Sequence, residues 1–334
     1  MSGPRLSICI PTFNRAEFLS ATLASIGGQA ESDLEIVISD NASTDDTGEV
    51  VESFAKAFPR LVYFRHSSNV GADRNYLKAV DLASGEYCWL FGSDDVMLPG
   101  AIKTVTMELS SAQDIYLCGL MLCTRDLEPI AEHHILRYGK KLEFDLSDPV
   151  ERLDYFRRAL TTTAFFSFLG SVIVNRRKWN TAGLDEQFVG TLWIHVTKCL
   201  RMLPLGLRLK FIAEPLLLKR GDNDSFMDQG LVERIGISVL GYLAIGTHYF
   251  GADSPELAHI KRTLRYEWPL KVYVTLRDQL DLEDDQSRRR LDEIFQTCFD
   301  GNDIGSMVAR GTYRSGVCRQ LYRAAHHLKG WSIG

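Results

Sequence analysis

Several common motifs and biases are missing from this sequence, and each absence argues against a class of function. No G-x-G-x-x-G follows the first predicted strand and no P-loop occurs, which disfavours a dehydrogenase and a P-loop nucleotide hydrolase. The formal net charge of −5 lacks the basic excess of a general nucleic-acid binder. The longest apolar stretch, 231–250, is interrupted by Glu233, Arg234 and His248, so it is a poor candidate for a membrane-spanning helix.

Cysteine pairing is also missing, since none of the seven cysteines forms a C-x-x-C pair. Cys9, Cys88 and Cys118 lie within apolar runs, where we expect small buried residues rather than metal ligands or disulfides. The chain passes from Met1 directly into a strand pattern, without a signal peptide. We therefore expect a cytoplasmic protein in a reducing compartment.

What is present is an ordinary globular composition, 45% hydrophobic and 24% charged, over 334 residues, enough for about two domains. The first 125 residues alternate apolar runs with helical periodicity. Strands are predicted at 6–10, 34–39, 61–64, 87–91 and 114–122, and helices at 16–26, 45–58, 73–83 and from Pro99. This order predicts an α/β fold with a doubly wound, mostly parallel sheet, whose ligands collect beyond the carboxyl ends of the strands.

The rest of the chain has a looser pattern that becomes helical towards its end. Further strands are predicted at 171–174, 207–212 and 215–219, and helices at 148–160 and 191–203. Four more helices are predicted at 229–250, 255–280, 284–299 and 304–328. We therefore divide the chain into residues 1–125, 126–228 and a mainly helical 229–334.

Two adjacent carboxylates, Asp94 and Asp95, follow the fourth predicted strand after Gly92 and Ser93. Adjacent carboxylates repel one another and are costly unless a cation or hydrogen-bond donors compensate. A hard divalent cation, completed by phosphate oxygens and water, suits such a pair. The alternative is that one carboxylate merely caps the helix expected from Pro99, and the pair alone does not decide between the two.

Polar residues also follow the first and second strands. Residues 11–15 turn into a helix N-terminus, an end that binds anionic or polar groups readily. Asp40 could accept a hydrogen bond from the N–H of a nucleotide base. The alternative, a helix cap made by Ser43 or Thr44, accounts for those two residues but not for Asp40.

The loop after the third strand, residues 69–75, combines a glycine with polar side chains. Gly71 indicates a backbone conformation that other residues avoid. Arg74 and Asn75 fall in the first turn of a helix, where they could face the strand ends. A simple turn followed by a cap explains this loop equally well when it is taken alone.

Taken together and in this order, the motifs make the chain resemble the family 2 glycosyltransferases, which have the GT-A fold. That family carries P-x-x-N-R, D-(N/G)-x-S-x-D, N-x-G-x-x-x-(A/R)-N, G-E-Y and D-x-D-D or a close variant. The corresponding stretches here are residues 11–15, 40–45, 69–75 (one residue shorter than the family pattern), 85–87 and 93–95. The resemblance covers about residues 5–125 well and continues weakly to about 225, with 69–75 and 86–95 most similar to the abequosyltransferase-like members that build bacterial O-antigen.

The resemblance implies a nucleotide-sugar-binding half at 1–125, an acceptor-binding half at 126–228, and a helical extension at 229–334. The implied donor-binding residues are Pro11, Thr12, Asn14, Arg15, Asp40, Asn69, Gly71, Arg74, Asn75, Ser93, Asp94 and Arg220. Asp95, with Asp94, would bind Mn²⁺ or Mg²⁺. Many members have Asp where this chain has Gly92, so we expect weaker metal binding than is typical of the family.

The implied reaction is a single displacement that inverts the anomeric carbon, and it needs a base for the proton of the acceptor hydroxyl. The family usually takes this base from an E-D pair, but Thr191 and Leu192 occupy the expected place. Three candidates remain: His195, of a type suited to base work near pH 7 and slightly favoured, then Asp185, and Glu186 beside it. We expect His195→Ala to leave donor binding intact and to lower turnover greatly, although a lone His beside Trp193 is more often structural.

The C-terminal residues 301–334 are basic and amphipathic. They carry Arg310, Arg314, Arg319, Arg323 and Lys329 against the single acid Asp303, with Leu321, Tyr322, Leu328 and Trp331 interleaved. Such a helix can lie on an anionic membrane surface, which would suit a lipid-linked saccharide acceptor. Packing on neighbouring helices, or on a second subunit in a homodimer, is the more conservative interpretation.

Two other functions fit parts of the pattern. A non-catalytic nucleotide-sugar-binding protein would account for Gly92 and for the missing E-D pair. A nucleotidyltransferase of related architecture would favour a glycine-rich first loop, and residues 11–15 contain no glycine. The sequence therefore favours a glycosyltransferase that uses a nucleotide-diphosphate sugar and has no nucleic-acid partner.

Overall fold

The computed structural model describes residues 3–29, 33–137, 139–224, 226–280, 285–301 and 303–327. The chain divides into two compact units, residues 1–223 and 224–334. The strands of the first unit are β1 (Leu6–Thr12), β2 (Leu34–Asp40), β3 (Leu61–Arg65), β4 (Tyr87–Leu90), β5 (Val96–Met97), β6 (Ile115–Cys123), β7 (Pro129–Glu132), β8 (Glu143–Asp145), β9 (Val172–Asn175) and β10 (Arg208–Arg220). Its helices are α1 (Ala16–Gly27), α2 (Thr47–Ala55), α3 (Ala72–Leu82), α4 (Ala101–Glu108), α5 (Pro149–Arg158), α6 (Arg176–Thr181) and α7 (Ile194–Leu200).

The strands of the first unit form one mixed sheet in the order β3-β2-β1-β4-β9-β6-β10-β5. The first four in this order run parallel to one another, as do β6 and β10, whereas β9 runs antiparallel to β4 and β6. Every residue of β1 and β2 is buried, as expected for parallel strands with both faces covered. The predicted α/β fold with a largely parallel sheet is therefore confirmed, with β9 as an antiparallel insertion.

One strand replaces two predicted strands near the end of this unit. The stretches 207–212 and 215–219 belong to the single strand β10, so the predicted break between them was wrong. The pairing of β10 with β6 shifts register on both sides of Pro215. Proline has no N–H to donate to the ladder, and here the strand absorbs it as an irregularity instead of ending.

The parallel register brings the ends of three strands to one edge of the sheet. Thr12 lies beside Asp40, and Asp40 lies beside Arg65. The Asn41 N–H donates to the Thr12 carbonyl at 3.0 Å, and the His66 N–H donates to the Asp40 carbonyl at 2.8 Å. These bonds extend the pairing past the strands and hold the following loops side by side.

The second unit is helical in its described part, as the sequence predicts. It contains α8 (Leu231–Phe250), α9 (Pro255–Glu267), α10 (Leu270–Gln279), α11 (Asp285–Cys298), α12 (Ile304–Arg314) and α13 (Gly316–His327). The continuous helix expected at 255–280 is broken, because Pro269 cannot continue a helix. The helix expected at 304–328 also divides at Ser315, whose backbone is extended, and residue 328 lies outside the described part.

The core of the second unit is aromatic. The Phe295 ring stacks on Tyr313 with centroids 3.9 Å apart and on Phe299 at 4.8 Å, and Tyr273 packs edge-on against Phe295. Such contacts add stability beyond that of the buried area. Among the described residues, no helix combines the length and apolar character that crossing a membrane requires.

Candidate active site

The turn after β4 holds the two adjacent carboxylates in different surroundings. Asp95 is buried, and its Oδ1 accepts the Arg220 backbone N–H at 3.1 Å. Burial, and secondly the charge of Asp94, raise the pKa of Asp95 to about 8. Asp94 is half-buried, and its Oδ2 accepts the Asn223 side-chain amide at 2.7 Å. The negative charge of Asp95 is therefore poorly compensated by the protein, whereas the Asp94 carboxylate is stabilised by a hydrogen bond.

Gly92 leaves the space in which the Asp95 carboxylate lies. A Cβ atom added at this position would collide with Asp95 Oδ2 and would lie 3.0 Å from Asp94 Oδ1. The sequence shows only that a carboxylate is missing at position 92. The structure adds that any larger residue there would have to displace the carboxylate of Asp95.

The side chain of Asp40, at the end of β2, is buried and is held by three groups. Its Oδ1 accepts the Ser43 N–H at 2.9 Å, and its Oδ2 accepts the Tyr63 hydroxyl at 2.7 Å. The Arg65 guanidinium lies 3.7 Å from the same Oδ2. Burial and the bond to Asp40 raise the pKa of Tyr63, so this hydroxyl stays protonated as a donor. In this arrangement Asp40 fixes the surrounding loop, and Tyr63 and Arg65 form its outer contacts.

The loop after β1 is bonded to the loop after β2. Asn14, in the left-handed conformation at φ 52°, accepts the Thr44 N–H at 2.8 Å through its side-chain oxygen. Its own N–H donates to the Ser43 hydroxyl at 2.9 Å. Ser43 and Thr44 thus bind Asn14 instead of capping α2, which begins only at Thr47. Pro11 lies within β1 beside Ser39.

The loop before α3 joins the same network. The Asn69 side-chain oxygen accepts the Asn41 amide at 2.9 Å, and Gly71 has the left-handed φ of 85° that its motif predicts. The Asn75 amide donates to the Thr12 carbonyl at 3.2 Å, while its oxygen accepts the Ser39 hydroxyl at 2.7 Å. Arg74 turns away to an exposed ion pair with Glu186 at 3.7 Å, a kind of contact that adds little stability.

The segment after β10 closes the network over the carboxylate pair. Asn223 accepts the Arg15 guanidinium through its side-chain oxygen at 2.7 Å and through its carbonyl at 3.2 Å. Its amide binds Asp94, so Asn223 bridges the first loop to the fourth. The Arg220 guanidinium donates to the Asp94 carbonyl at 2.8 Å. Ser93, between Gly92 and Asp94, is buried.

The structure thus brings most of the predicted donor-site residues together and adds three that the motifs missed. Asn223 binds the Asp94 carboxylate, and Tyr63 and Arg65 contact the Asp40 carboxylate. None of the three belongs to a motif of the family. Arg65 could have been found from the strand register, because it stands directly beside Asp40. Asn223 lies in a polar loop after β10, and nothing local in the sequence shows that it contacts Arg15.

His195 occupies a different setting from the one its predicted role as base requires. It is 3% exposed, and its ring packs against Tyr76 and Trp193 with centroids about 6 Å away (5.9 and 6.0 Å). Neither ring nitrogen has a hydrogen-bond partner within the described residues. Burial lowers the pKa of His195 to about 4. This placement favours packing over proton transfer.

Asp185 is the more accessible of the two base candidates. It is half-buried at the start of the turn Glu186–Phe188, and it accepts the Gln187 amide at 3.0 Å. Glu186 beside it is exposed. The described residues contain no group of three or more His, Cys, Asp or Glu side chains able to hold a metal. Any metal here would thus take fewer than three such ligands from the protein.

Comparison with known proteins gives a consistent picture. Residues 7–169 match the family model described as glycosyl transferase family 2. The chain is 37% identical over 278 residues to the abequosyltransferase RfbV of Salmonella typhimurium, covering 81% of this chain and 83% of that protein. It is 32% identical to the GalNAc(5)-diNAcBac-PP-undecaprenol beta-1,3-glucosyltransferase of Campylobacter jejuni, covering 58% of this chain and 60% of the relative.

Solved structures share the fold at low sequence identity. Residues 1–349 of TarS from S. aureus superpose with a TM-score of 0.61 at 16% identity, covering 96% of this chain and 92% of that one. The mannosyltransferase PcManGT of Pyrobaculum calidifontis, in complex with GDP-Man and Mn²⁺, gives a TM-score of 0.52, also at 16% identity, covering 98% and 87%. At this sequence identity, these superpositions show that the fold is shared and nothing further.

Proposed function

This chain belongs to glycosyl transferase family 2 and is a glycosyltransferase, and on that premise we propose that it moves a sugar from a nucleotide-diphosphate donor to a saccharide acceptor with inversion. The observation that carries the proposal is the single hydrogen-bonded network that joins four strand-end loops. It runs from Asn75 to Thr12 and from Arg15 through Asn223 to Asp94. Ligands of such sheets bind beyond the carboxyl ends of the strands, where this network lies.

Within the network each loop has a proposed role towards the donor. The loop around Asp40, with Asn14 and Asn69, forms the base and ribose side. Arg15 and Arg220 supply positive charge towards the diphosphate. Arg220 donates to the Asp94 carbonyl, and Arg15 donates to Asn223, which itself binds Asp94. Charge-assisted bonds of this kind favour an anion over water.

The carboxylate pair fits Mn²⁺ or Mg²⁺ as the cofactor. Asp95 is a buried carboxylate whose raised pKa reports that its negative charge is poorly compensated by the protein. One or two carboxylates, with phosphate oxygens and water, satisfy these cations. We therefore assign Asp95 as the main ligand and Asp94 as the second. When bound, the cation would neutralise the departing nucleotide diphosphate.

The base for the acceptor hydroxyl is proposed to be Asp185, with His195 as the second candidate. Asp185 is partly accessible in the turn that follows α6, whereas His195 is buried, and burial lowers its pKa to about 4. A general base must come within hydrogen-bond reach of the proton that it removes. Accessibility supports Asp185.

The acceptor is proposed to be a lipid-linked saccharide of a bacterial surface polysaccharide, used at the cytoplasmic face of the membrane. The name of the Campylobacter jejuni relative describes an acceptor on PP-undecaprenol. All seven cysteines are free thiols, which fits a reducing compartment.

Contact with the membrane surface is proposed for α12 and α13. These helices expose Ile304, Val308, Val317 and Leu321, each more than half accessible. Arg314 is exposed beside them, whereas Arg319 and Arg323 pair with Asp278. Leu328, Lys329 and Trp331 lie outside the described residues.

Flotation with anionic vesicles would test this contact on the full chain. Leu321→Asp should reduce binding, while Met107→Asp, an equally exposed apolar residue on α4, should not. A dimer through the same helices is the competing proposal. It predicts that Leu321→Asp lowers the mass measured by light scattering while flotation stays unchanged.

A thermal-shift screen of UDP-, CDP-, GDP- and dTDP-sugars, with and without Mn²⁺, tests the donor class. Ligand at about 100 times its dissociation constant adds about 2.7 kcal/mol to stability. This corresponds to several degrees for a domain of this size. One nucleotide should raise the melting temperature in the presence of Mn²⁺. No metal-dependent shift with any of the four would count against the proposed function.

A further inference from the structure

The carboxylate of Asp73, the second residue of α3, reaches across to the segment before α7. Its Oδ2 accepts the Gly190 N–H at 2.7 Å and the Leu192 N–H at 3.0 Å. The side chain is only 2% exposed, and its Oδ1 has no hydrogen-bond partner within the described residues. A carboxylate that merely began a helix would remain in water, so this burial serves the contact with residues 190–192.

The backbone that Asp73 contacts is held in an uncommon conformation. Gly190 has a φ of 91° and Leu192 a φ of 72°. A left-handed leucine is unfavourable by about 1–2 kcal/mol and persists only where its surroundings impose it. Two N–H groups directed at one oxygen impose it here. Without the carboxylate, residues 190–192 lose the contact that fixes their path.

The same helical turn is bound to the donor side through Asn75. Residues two positions apart on a helix point to different sides. Asn75 binds Thr12 and Ser39, at the ends of β1 and β2. Asp73 binds the other segment, and Arg74 between them lies 3.7 Å from Glu186. One turn of α3 is therefore the connection between the donor-side loops and residues 185–192.

We propose that Asp73 is a positioning residue that sets the segment 185–192, and with it the acceptor, relative to the bound donor. This inference rests on the proposed function, in which residues 185–192 lie on the acceptor side. Asp73 acts through one oxygen, Oδ2, which accepts the N–H groups of Gly190 and Leu192. An asparagine side chain retains such an oxygen, whereas an alanine does not.

Hydrogen exchange of the full-length protein tests the structural part without any substrate. Asp73→Ala should speed exchange in peptides covering 188–194, and Asp73→Asn should stay close to the wild type. Asp81→Ala on the same helix, an exposed residue, is the matched control and should change nothing. Unchanged exchange in Asp73→Ala would overturn the inference, whatever the chain transfers.

Kinetics test the functional part with whichever nucleotide sugar shifts the melting temperature in the screen. Asp73→Ala should lower kcat/KM for the acceptor by about tenfold or more, since small misplacements are costly in catalysis. The KM for the donor and the acceptor-independent hydrolysis of the donor should stay within about twofold, and Asp73→Asn should restore most of the transfer.

A loss in Asp73→Asn as large as in Asp73→Ala would overturn the positioning role, because the charge and not the acceptor oxygen would then matter. An equal loss of donor hydrolysis in Asp73→Ala would overturn it too. Failure of the proposed function looks different, since wild type would then transfer nothing while the exchange result still stood.

Discussion

The donor-side loops and the segment 183–195 meet the same helix, α3, but are built differently. On the donor side each loop binds at least one other loop through side chains, as Asn14 binds residues 43–44 and Asn223 binds both Arg15 and Asp94. The segment 183–195 is joined to its surroundings mainly through its backbone and through packing. Asp73 accepts two of its N–H groups, Lys198 donates to the Gly183 carbonyl, and His195 packs on Tyr76. Side-chain bonds between loops favour one fixed ligand geometry, whereas a segment held through its backbone leaves its exposed side chains open to substitution.

The largest expected effect belongs to the donor side. Asp95→Asn should lower turnover by about 10³-fold, which corresponds to about 4 kcal/mol of lost charge stabilisation at the departing diphosphate. Steady-state transfer at saturating Mn²⁺ measures it. Asp126→Asn is the control, because it makes the same change at an exposed position of the same unit. Turnover within tenfold of the wild type would show that the carboxylate pair is not a metal site.

The next effect concerns the base and separates the two candidates on the acceptor side. Asp185→Asn should lower turnover by about 10²-fold with donor binding intact, as expected for loss of a general base. His195→Phe should retain most of the turnover, because the buried ring packs against Tyr76 and Trp193. Single-turnover rates of the two variants decide the matter. The reverse result would restore His195 as the base, the candidate that its residue type first favours.

A stability measurement sharpens the same distinction. Burial lowers the pKa of His195 to about 4, so in the folded state the ring binds a proton only at lower pH than in the unfolded chain. Stability is therefore lost as the pH falls from about 6.5 to about 4. His195→Phe should lose about 2 kcal/mol less than the wild type over this interval in urea unfolding. Parallel losses in both proteins would show that His195 titrates normally.

The smallest expected effect is at Gly92. Gly92→Ala should weaken the apparent affinity for Mn²⁺ by about tenfold, because its Cβ would displace the Asp95 carboxylate. Titration of Mn²⁺ by its effect on the melting temperature measures this. Gly139→Ala is the matched control, because a Cβ added at Gly139 meets no atom within 4 Å. Tighter binding in Gly92→Ala would show that the Asp95 carboxylate has an alternative position.

The strand ends on the donor side can be predicted from the sequence, whereas the contacts of Asn223 and His195 cannot. The ends of β1 to β4 are visible because buried parallel strands are continuous apolar runs that stop at polar residues. The bridge made by Asn223 joins residues 208 positions apart, which no local pattern encodes. The burial of His195 is equally invisible, because it arises from packing against Tyr76 on another helix. The helix breaks at Pro269 and Ser315 show that periodicity finds helices better than it finds their ends.

The bridge at Asn223 has a consequence for the order in which the protein is made. Arg15 and Asp94 leave the ribosome early, but their partner is the final residue of the first unit. Until more than two hundred residues have been synthesised, the first and fourth loops lack the side chain that bridges them. A nascent chain, or a fragment ending at residue 169, would have the bonds among the first three loops but not the bridge from Arg15 to Asp94. A binding site that needs this bridge should therefore be completed late in translation.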